Sequence, residues 1–172
     1  MRIREATPDD LEAITAVISS AFREAQSSHD GEVIEALLVK ELLEDRHDLV
    51  NLVAEDTDIL GHVFVSPVSL EPDRGLLCGQ VAPLSVLPKY QSIGLGRALM
   101  HAVIEKSKVT GLDALFLLGD PDYYQAFGFF PSKLRSAYGP SDFFQQLNLS
   151  NETIEPKDAY VRLAPAFVRL DL

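Results

Sequence analysis

Hydrophobic residues near the start of the chain recur every three or four positions, which is the period of an α-helix with one buried face. Thr7 and Pro8 precede the first such segment and are typical of a helix start. A polar stretch at residues 26–31 separates it from the second segment. We therefore predict two amphipathic helices. Their apolar positions are Leu11, Ile14, Val17, Ile18, Phe22, Val33, Leu37, Leu38, Leu42 and Leu43.

Shorter apolar runs bounded by turn residues follow, as expected of β-strands. We predict strands at residues 1–5, 49–55, 59–70, 76–86, 112–118 and 160–170. Apolar residues after position 95 return to helical spacing, which predicts a third long helix.

Three further elements are predicted between the last two of these strands. Residues 122–127 form a short helix ended by Gly128, and Phe129 and Phe130 open another strand. Residues 139–151 show the weakest pattern. Their aromatic and leucine side chains, Phe143, Phe144 and Leu147, indicate a short helix. Without the segment at residues 139–151, the order β-α-α-β-β-β-α-β-α-β-β predicts a mixed α/β fold, and 172 residues suit a single domain.

A strand, a glycine-containing loop and a helix succeed one another within residues 83–101. Pro88 cannot donate to a sheet and ends the strand. The first amides of a helix lack intrahelical acceptors and lie at the positive end of its dipole. Gly94 and Gly96 allow close approach of a ligand to the backbone, and Arg97 adds a positive charge. This arrangement predicts an anion site.

Three phosphate-binding patterns can be compared with this loop. A P-loop requires G-x-x-x-x-G-K-[ST], whereas Gly94 and Gly96 are two residues apart and no Lys-Ser or Lys-Thr follows. A dinucleotide fingerprint requires a third glycine where Leu99 stands. A pyrophosphate loop spaced Gln-x-x-Gly-x-Gly after Leu-x-Val fits at every position from Gln91 onward. An ordinary strand-turn-helix is the alternative without a ligand.

The segment resembles the acetyl-CoA motif of the GNAT superfamily of N-acetyltransferases. A second stretch, Tyr-Tyr-Gln-Ala-Phe-Gly-Phe at residues 123–129, resembles the family's F-Y-x-x-x-G-F signature. The chain is also similar to the YhbS-like subgroup of predicted acetyltransferases at residues 61–68, 119–121 and 164–167. The resemblance implies a GNAT fold, with a mixed, mostly antiparallel central sheet that is splayed at the cofactor site and flanked by helices.

The resemblance implies a role for each matched position. Acetyl-CoA is the expected cosubstrate, with its pyrophosphate on the amides of the loop, Arg97 at the phosphates, and Ile93 and Leu95 lining the site. Free amides on the splayed strand would bind the thioester and pantetheine. The expected cofactor-binding residues are Leu84, Ser85, Val86, Gln91, Ser92, Ile93, Gly94, Leu95, Gly96 and Arg97.

Tyr124 stands where the family has its tyrosine and is the expected acid for the leaving thiolate, since a phenol can donate a proton to sulfur in a closed site. Packing beside Phe127 is its alternative role, and Tyr123 is expected only to pack.

The general base is left open. Glu24, His29, Asp30 and Glu32 lie where the family forms its substrate mouth, and a water relay is equally compatible with the sequence.

Composition narrows the function further. A net charge of −11 opposes nucleic-acid binding and would attract cationic amines. No run reaches the roughly 20 apolar residues of a membrane helix, so we expect no membrane partner. The charged N-terminal residues do not resemble a signal peptide, so we expect a cytoplasmic protein.

The cysteine and histidine residues suggest no metal site. Cys78 is the only cysteine and is expected to be a small core residue. The four histidines show no paired ligand spacing, and His62 is expected to point to a neighbouring strand or to solvent.

The resemblance to the GNAT superfamily implies direct acetyl transfer from acetyl-CoA to a primary amine of a small molecule or peptide. The alternatives are a non-catalytic acyl-CoA-binding sensor or partner domain, and a longer-chain acyltransferase. Several members of the family form dimers, so a homodimer is among the expected states.

Overall fold

The computed structural model describes residues 1–23, 32–152, 154 and 159–172. Five helices occur within them: α1 (Leu11–Phe22), α2 (Ile34–Glu44), α3 (Leu95–Thr110), α4 (Pro121–Tyr124) and α5 (Pro165–Arg169). The strands of the same residues are β1 (Arg2–Glu5), β2 (Val50–Glu55), β3 (Ile59–Glu71), β4 (Cys78–Val86), β5 (Ala114–Leu118), β6 (Phe130–Pro131), β7 (Arg135–Ser136), β8 (Phe144–Asn148) and β9 (Tyr160–Arg162).

The strands form one sheet in the order β1-β2-β3-β4-β5-β8-β6, with β9 joined to the far end of β3 and β7 joined to β9. Pairing is antiparallel except between β4 and β5 and between β7 and β9. The expected mixed, mostly antiparallel sheet is confirmed. No helix in the described part of the chain is long and apolar enough to span a membrane.

Helices cover both faces of the sheet. On one face, α3 places Leu99 and Val103 against Val63 and Val65 of β3. On the other face, α1 and α2 pack with α5 over Phe64. Successive side chains of β3 point to opposite faces of the sheet, because side chains alternate along a strand. Nearly the whole strand is buried, because helices cover both faces.

The parallel pair β4–β5 diverges after three residues. Its register runs from Cys78↔Ala114 to Gln80↔Phe116, whereas β4 continues along β3 as far as Val86↔Gly61. On its other side, β5 pairs with β8 along its whole length, from Ala114↔Asn148 to Leu118↔Phe144. The predicted splay therefore lies between the second half of β4 and the end of β5.

Two predicted elements near the C-terminus are wrong. Phe144 belongs to strand β8, not to a helix, and its ring stacks on Phe116 of β5 at 5.6 Å between centroids. Phe143 is exposed while Phe144 is buried, which is the alternation of a strand. The closing strand ends at Arg162, and Pro165 begins helix α5, because proline is favoured in a first helical turn.

Two single residues have the expected surroundings. Cys78 is fully buried, and burial raises the pKa of its thiol to about 12, as suits a core residue. His62 is also fully buried and points to the neighbouring strand, with Nε2 2.8 Å from Oδ1 of Asn51.

Candidate active site

A cavity of about 380 Å³ occupies the space where β4 and β5 diverge. The second half of β4 forms one wall, Leu118 and Tyr124 form the opposite side, and the ends of α1 and α5 contribute apolar side chains. Its polar lining residues are Glu35, Gln80, Tyr124 and Tyr138. The volume is that of a small-ligand pocket.

The peptide groups of β4 alternate in direction beside this cavity. The Leu87 N–H donates to the Leu60 carbonyl at 2.9 Å, so in an antiparallel pair the peptide group of Ser85 also faces β3. The peptide groups of Leu84 and Val86 therefore face the other edge of β4, which at this point no longer pairs with β5. Of the three amides expected to bind the thioester and pantetheine, the structure places Leu84 and Val86 at the open edge and turns Ser85 away from it.

A hydrogen bond from the Gln91 side chain connects the following loop to the end of β4. Its Nε2 donates to the carbonyl of Val86 at 3.0 Å, on the open side of the strand. Ser92 and Gly94 then both adopt positive φ, at 63° and 91°. Because glycine adopts this conformation without a Cβ clash, Gly94 can end the loop in a tight turn. The Gln-x-x-Gly spacing thus has a structural reason within the chain itself.

Helix α3 begins immediately after this turn. Its first backbone bond runs from the Ala98 N–H to the Gly94 carbonyl at 3.0 Å, so the amides of residues 95–97 have no intrahelical acceptor. Arg97 and Ile93 are exposed beside them. The Leu95 side chain is 2% exposed and packs in the core, so that position offers a ligand only its backbone N–H. Free amides at the start of a helix, with an arginine beside them, are the features that favour binding of an anion.

Tyr123 lies next to the loop. Its hydroxyl is 3.2 Å from the position that a Cβ would occupy on Gly96, and its ring packs on Phe127. Burial raises the pKa of the Tyr123 phenol, and the nearby Arg97 partly opposes that rise. The sequence predicted packing for Tyr123; the structure also places its hydroxyl group beside the start of α3.

Tyr124, the expected acid for the leaving thiolate, is one of the residues that line the cavity. Its ring packs edge-on against Tyr123, with centroids 4.8 Å apart, and against Phe129. Burial, with a smaller contribution from Tyr123, raises the pKa of the Tyr124 phenol to about 12. The phenol therefore stays protonated at neutral pH and can donate a hydrogen bond into the cavity.

Of the four candidate bases, the structure describes only Glu32. Glu24, His29 and Asp30 lie outside the described residues. Glu32 is exposed and forms an ion pair with Lys40. The cavity's carboxylate is instead Glu35, one turn before Leu38 on α2, and both residues line the cavity. Sequence reasoning missed Glu35 because an acidic residue in the first turn of a helix is ordinary.

Within the described residues, no group of three or more histidine, cysteine, aspartate or glutamate side chains is arranged to hold a metal ion.

Comparison with known proteins shows several matches. The model of the acetyltransferase (GNAT) family matches residues 11–133. The chain is 34% identical over 131 residues to the uncharacterized N-acetyltransferase YhbS of Escherichia coli K12, covering 75% of this chain and 73% of that protein. The crystal structure of E. coli YhbS in complex with CoA is similar with a TM-score of 0.84 and 30% identity, covering 98% and 92% of the two chains. A GNAT family acetyltransferase from Brucella melitensis in complex with acetyl-CoA gives a TM-score of 0.78 and 29% identity, covering 96% and 97%.

Proposed function

This chain belongs to the GNAT acetyltransferase family, and from that premise we propose that it transfers an acetyl group from acetyl-CoA directly to a primary amine of a small molecule or peptide. The main observation in support is that the loop before α3 and the cavity lined by Tyr124 both lie where β4 diverges from β5. The anion site proposed at residues 91–97 follows the end of β4, and Tyr124 lines the cavity between β4 and β5.

The cofactor would bind along the open side of β4. Its pyrophosphate would accept hydrogen bonds from the amides at the start of α3, with Arg97 adjacent. The pantetheine would follow the strand edge, where the peptide groups of Leu84 and Val86 are directed. Bound CoA and acetyl-CoA in the E. coli and B. melitensis relatives support this assignment.

Transfer begins when the neutral amine nitrogen attacks the thioester carbonyl carbon. The C–N bond forms, and the carbonyl oxygen becomes an oxyanion that a backbone N–H of the open edge can stabilise. When this intermediate collapses, the C–S bond breaks, the sulfur takes a proton from Tyr124, and the nitrogen loses one. The products are the N-acetylated amine and CoA thiol.

The pKa of Tyr124 constrains the proton's route. A phenol pKa of about 12 lies above the value of about 8.5 for a thiol, so donation to a free thiolate is uphill by roughly 5 kcal/mol. The step becomes favourable when the proton that the nitrogen loses returns to Tyr124. We therefore propose that the Tyr124 phenolate regains a proton at about the time that the C–S bond breaks.

Calorimetric titration of the protein with acetyl-CoA and CoA, followed by a thiol-release screen over amines and peptides, tests the proposal. Binding with turnover is the expected result. Binding without turnover across the whole panel would favour the acyl-CoA sensor, and absence of binding would refute the cofactor site. Light scattering on the same samples tests the predicted homodimer.

A further inference from the structure

The side chain of Tyr123 is fixed beside the start of α3 by its aromatic neighbours. Its ring packs edge-on against Tyr124, with centroids 4.8 Å apart, and against Phe127, with centroids 5.6 Å apart. Such edge-to-face contacts orient a ring in addition to burying its surface. Tyr123 is nonetheless 42% exposed, so a ligand at the start of α3 can reach the side chain.

Glycine at position 96 leaves room for the Tyr123 hydroxyl group. Gly96 is the second residue of α3 and does not have a positive φ, so its backbone conformation does not require glycine. A Cβ atom at this position would lie 3.2 Å from the Tyr123 hydroxyl oxygen, which is closer than an ordinary van der Waals contact. The missing side chain at residue 96 therefore lets the hydroxyl group lie directly against the helix backbone.

Several hydrogen-bond donors come together at this point. The amides of residues 95–97 have no intrahelical acceptor, because the first backbone bond of α3 runs from the Ala98 N–H to the Gly94 carbonyl. Arg97 adds a guanidinium group near Tyr123. Burial raises the pKa of the Tyr123 phenol, so the hydroxyl group keeps its proton at neutral pH, and no described residue forms a hydrogen bond with it. A group of donors suits the oxygens of a phosphate, which accept hydrogen bonds.

We propose that the Tyr123 hydroxyl group donates a hydrogen bond to an oxygen of the CoA pyrophosphate, adding a side-chain contact to those of the α3 amides. The inference rests on the proposed function, because it takes the start of α3 as the pyrophosphate site. The two adjacent tyrosines then have different roles. Tyr124 lines the cavity and protonates the leaving sulfur, whereas Tyr123 binds the cofactor on the other side of the shared aromatic contact.

Calorimetric titration of Tyr123→Phe with CoA tests the assignment, because this variant keeps the ring and its packing and removes only the hydroxyl group. We expect the dissociation constant for CoA to rise roughly tenfold or more, since a hydrogen bond to a charged group is lost. Tyr160→Phe makes the same change on β9 and should bind CoA like the unmodified protein. An unchanged dissociation constant in Tyr123→Phe would overturn the proposal.

Two parts of the cofactor locate the contact. Dephospho-CoA lacks the 3′-phosphate and keeps the pyrophosphate, and ADP keeps the pyrophosphate and lacks the pantetheine. Tyr123→Phe should weaken the binding of both compounds by about the same factor as that of CoA, with ADP measured by its displacement of CoA. A loss confined to CoA would place the hydroxyl group at the 3′-phosphate. A loss for CoA and dephospho-CoA without one for ADP would place it on the pantetheine. Either result would contradict the pyrophosphate contact.

The outcomes also separate this inference from the function on which it rests. CoA binding that is equally tight in the unmodified protein and in Tyr123→Phe would contradict the tyrosine contact and leave the proposed transferase intact. Absence of CoA binding by the unmodified protein would refute the cofactor site and, with it, this inference.

Discussion

A Cβ atom placed on Gly119 would lie 2.4 Å from Cε2 of Tyr124, so the tyrosine ring packs directly on the glycine backbone. Two hydrogen bonds with residues at the start of β8 hold that backbone in place. The Gly119 N–H donates to the Phe143 carbonyl at 2.9 Å, and the Gly119 carbonyl accepts from Nε2 of Gln145 at 3.0 Å. Asp120 caps α4 by accepting from the Asp122 N–H at 2.9 Å. The Gly-Asp-Pro segment therefore positions Tyr124.

Gly119→Ala should displace the Tyr124 ring, because the added methyl group cannot fit and the backbone is held by β8. A misplacement of about 1 Å at a reacting group costs on the order of a hundredfold in rate, and we expect kcat to fall by that order. Steady-state kinetics with Tyr124→Ala as the background provides the control. If the glycine acts through the tyrosine, Gly119→Ala should lower kcat little further in that background.

Tyr124→Phe should lower kcat on the order of a hundredfold or more, the usual contribution of general acid catalysis. Its dissociation constant for CoA should remain nearly unchanged, because the ring and its packing are retained. Tyr160→Phe removes a hydroxyl group from β9, away from the splay, and should retain the original kcat. A wild-type rate for Tyr124→Phe would exclude the tyrosine from the mechanism.

Gly94→Asp should abolish CoA binding, since it places a carboxylate where the phosphates would lie; Gly96→Asp should do the same. Gly111→Asp is a closely matched control for the first change. Gly111 has φ of 92°, against 91° for Gly94, and a Cβ at either position meets no atom within 4 Å. Gly111 follows the opposite end of α3. Calorimetry should show CoA binding by Gly111→Asp and none by Gly94→Asp; equal affinities would refute the anion site.

The buried His62 should make stability depend on acidic pH. Burial lowers the pKa of its imidazole from 6.5 to about 3, so below pH 6.5 the unfolded chain binds a proton that the folded chain does not. Its contribution to the free energy of unfolding is therefore present above pH 6.5 and is lost as the pH falls toward 3. The slope contributed is up to about 1.4 kcal/mol per pH unit.

Urea unfolding at several pH values measures this contribution. His62→Gln should unfold with a shallower dependence between pH 6.5 and pH 3 than the unmodified protein. The comparison variant is His101→Gln, which makes the same change at an exposed histidine on α3. An unchanged slope in His62→Gln would contradict the prediction.

The two errors in the predicted elements arose from segments whose conformation depends on distant partners. Phe143, Phe144 and Leu147 fit one helical face by spacing alone. The segment is a strand because it pairs with β5, some 30 residues earlier, and because Phe144 stacks on Phe116. Around Pro165, the local pattern allowed a continued strand, whereas burial of Phe167 against the α1–α2 layer accompanies a helix.

The sequence by itself determined the conformation of the loop at residues 88–94, because its requirements act over a few residues. Pro88 ends the strand, Gln91 reaches back five residues to Val86, and glycine at position 94 allows positive φ. Only the tertiary structure decided which side chains line the cavity where β4 and β5 diverge. Glu35 and Gln80 are far apart in sequence, and their association with Tyr124 depends on helix packing and on where β4 and β5 separate. Local backbone preferences do not encode that long-range geometry.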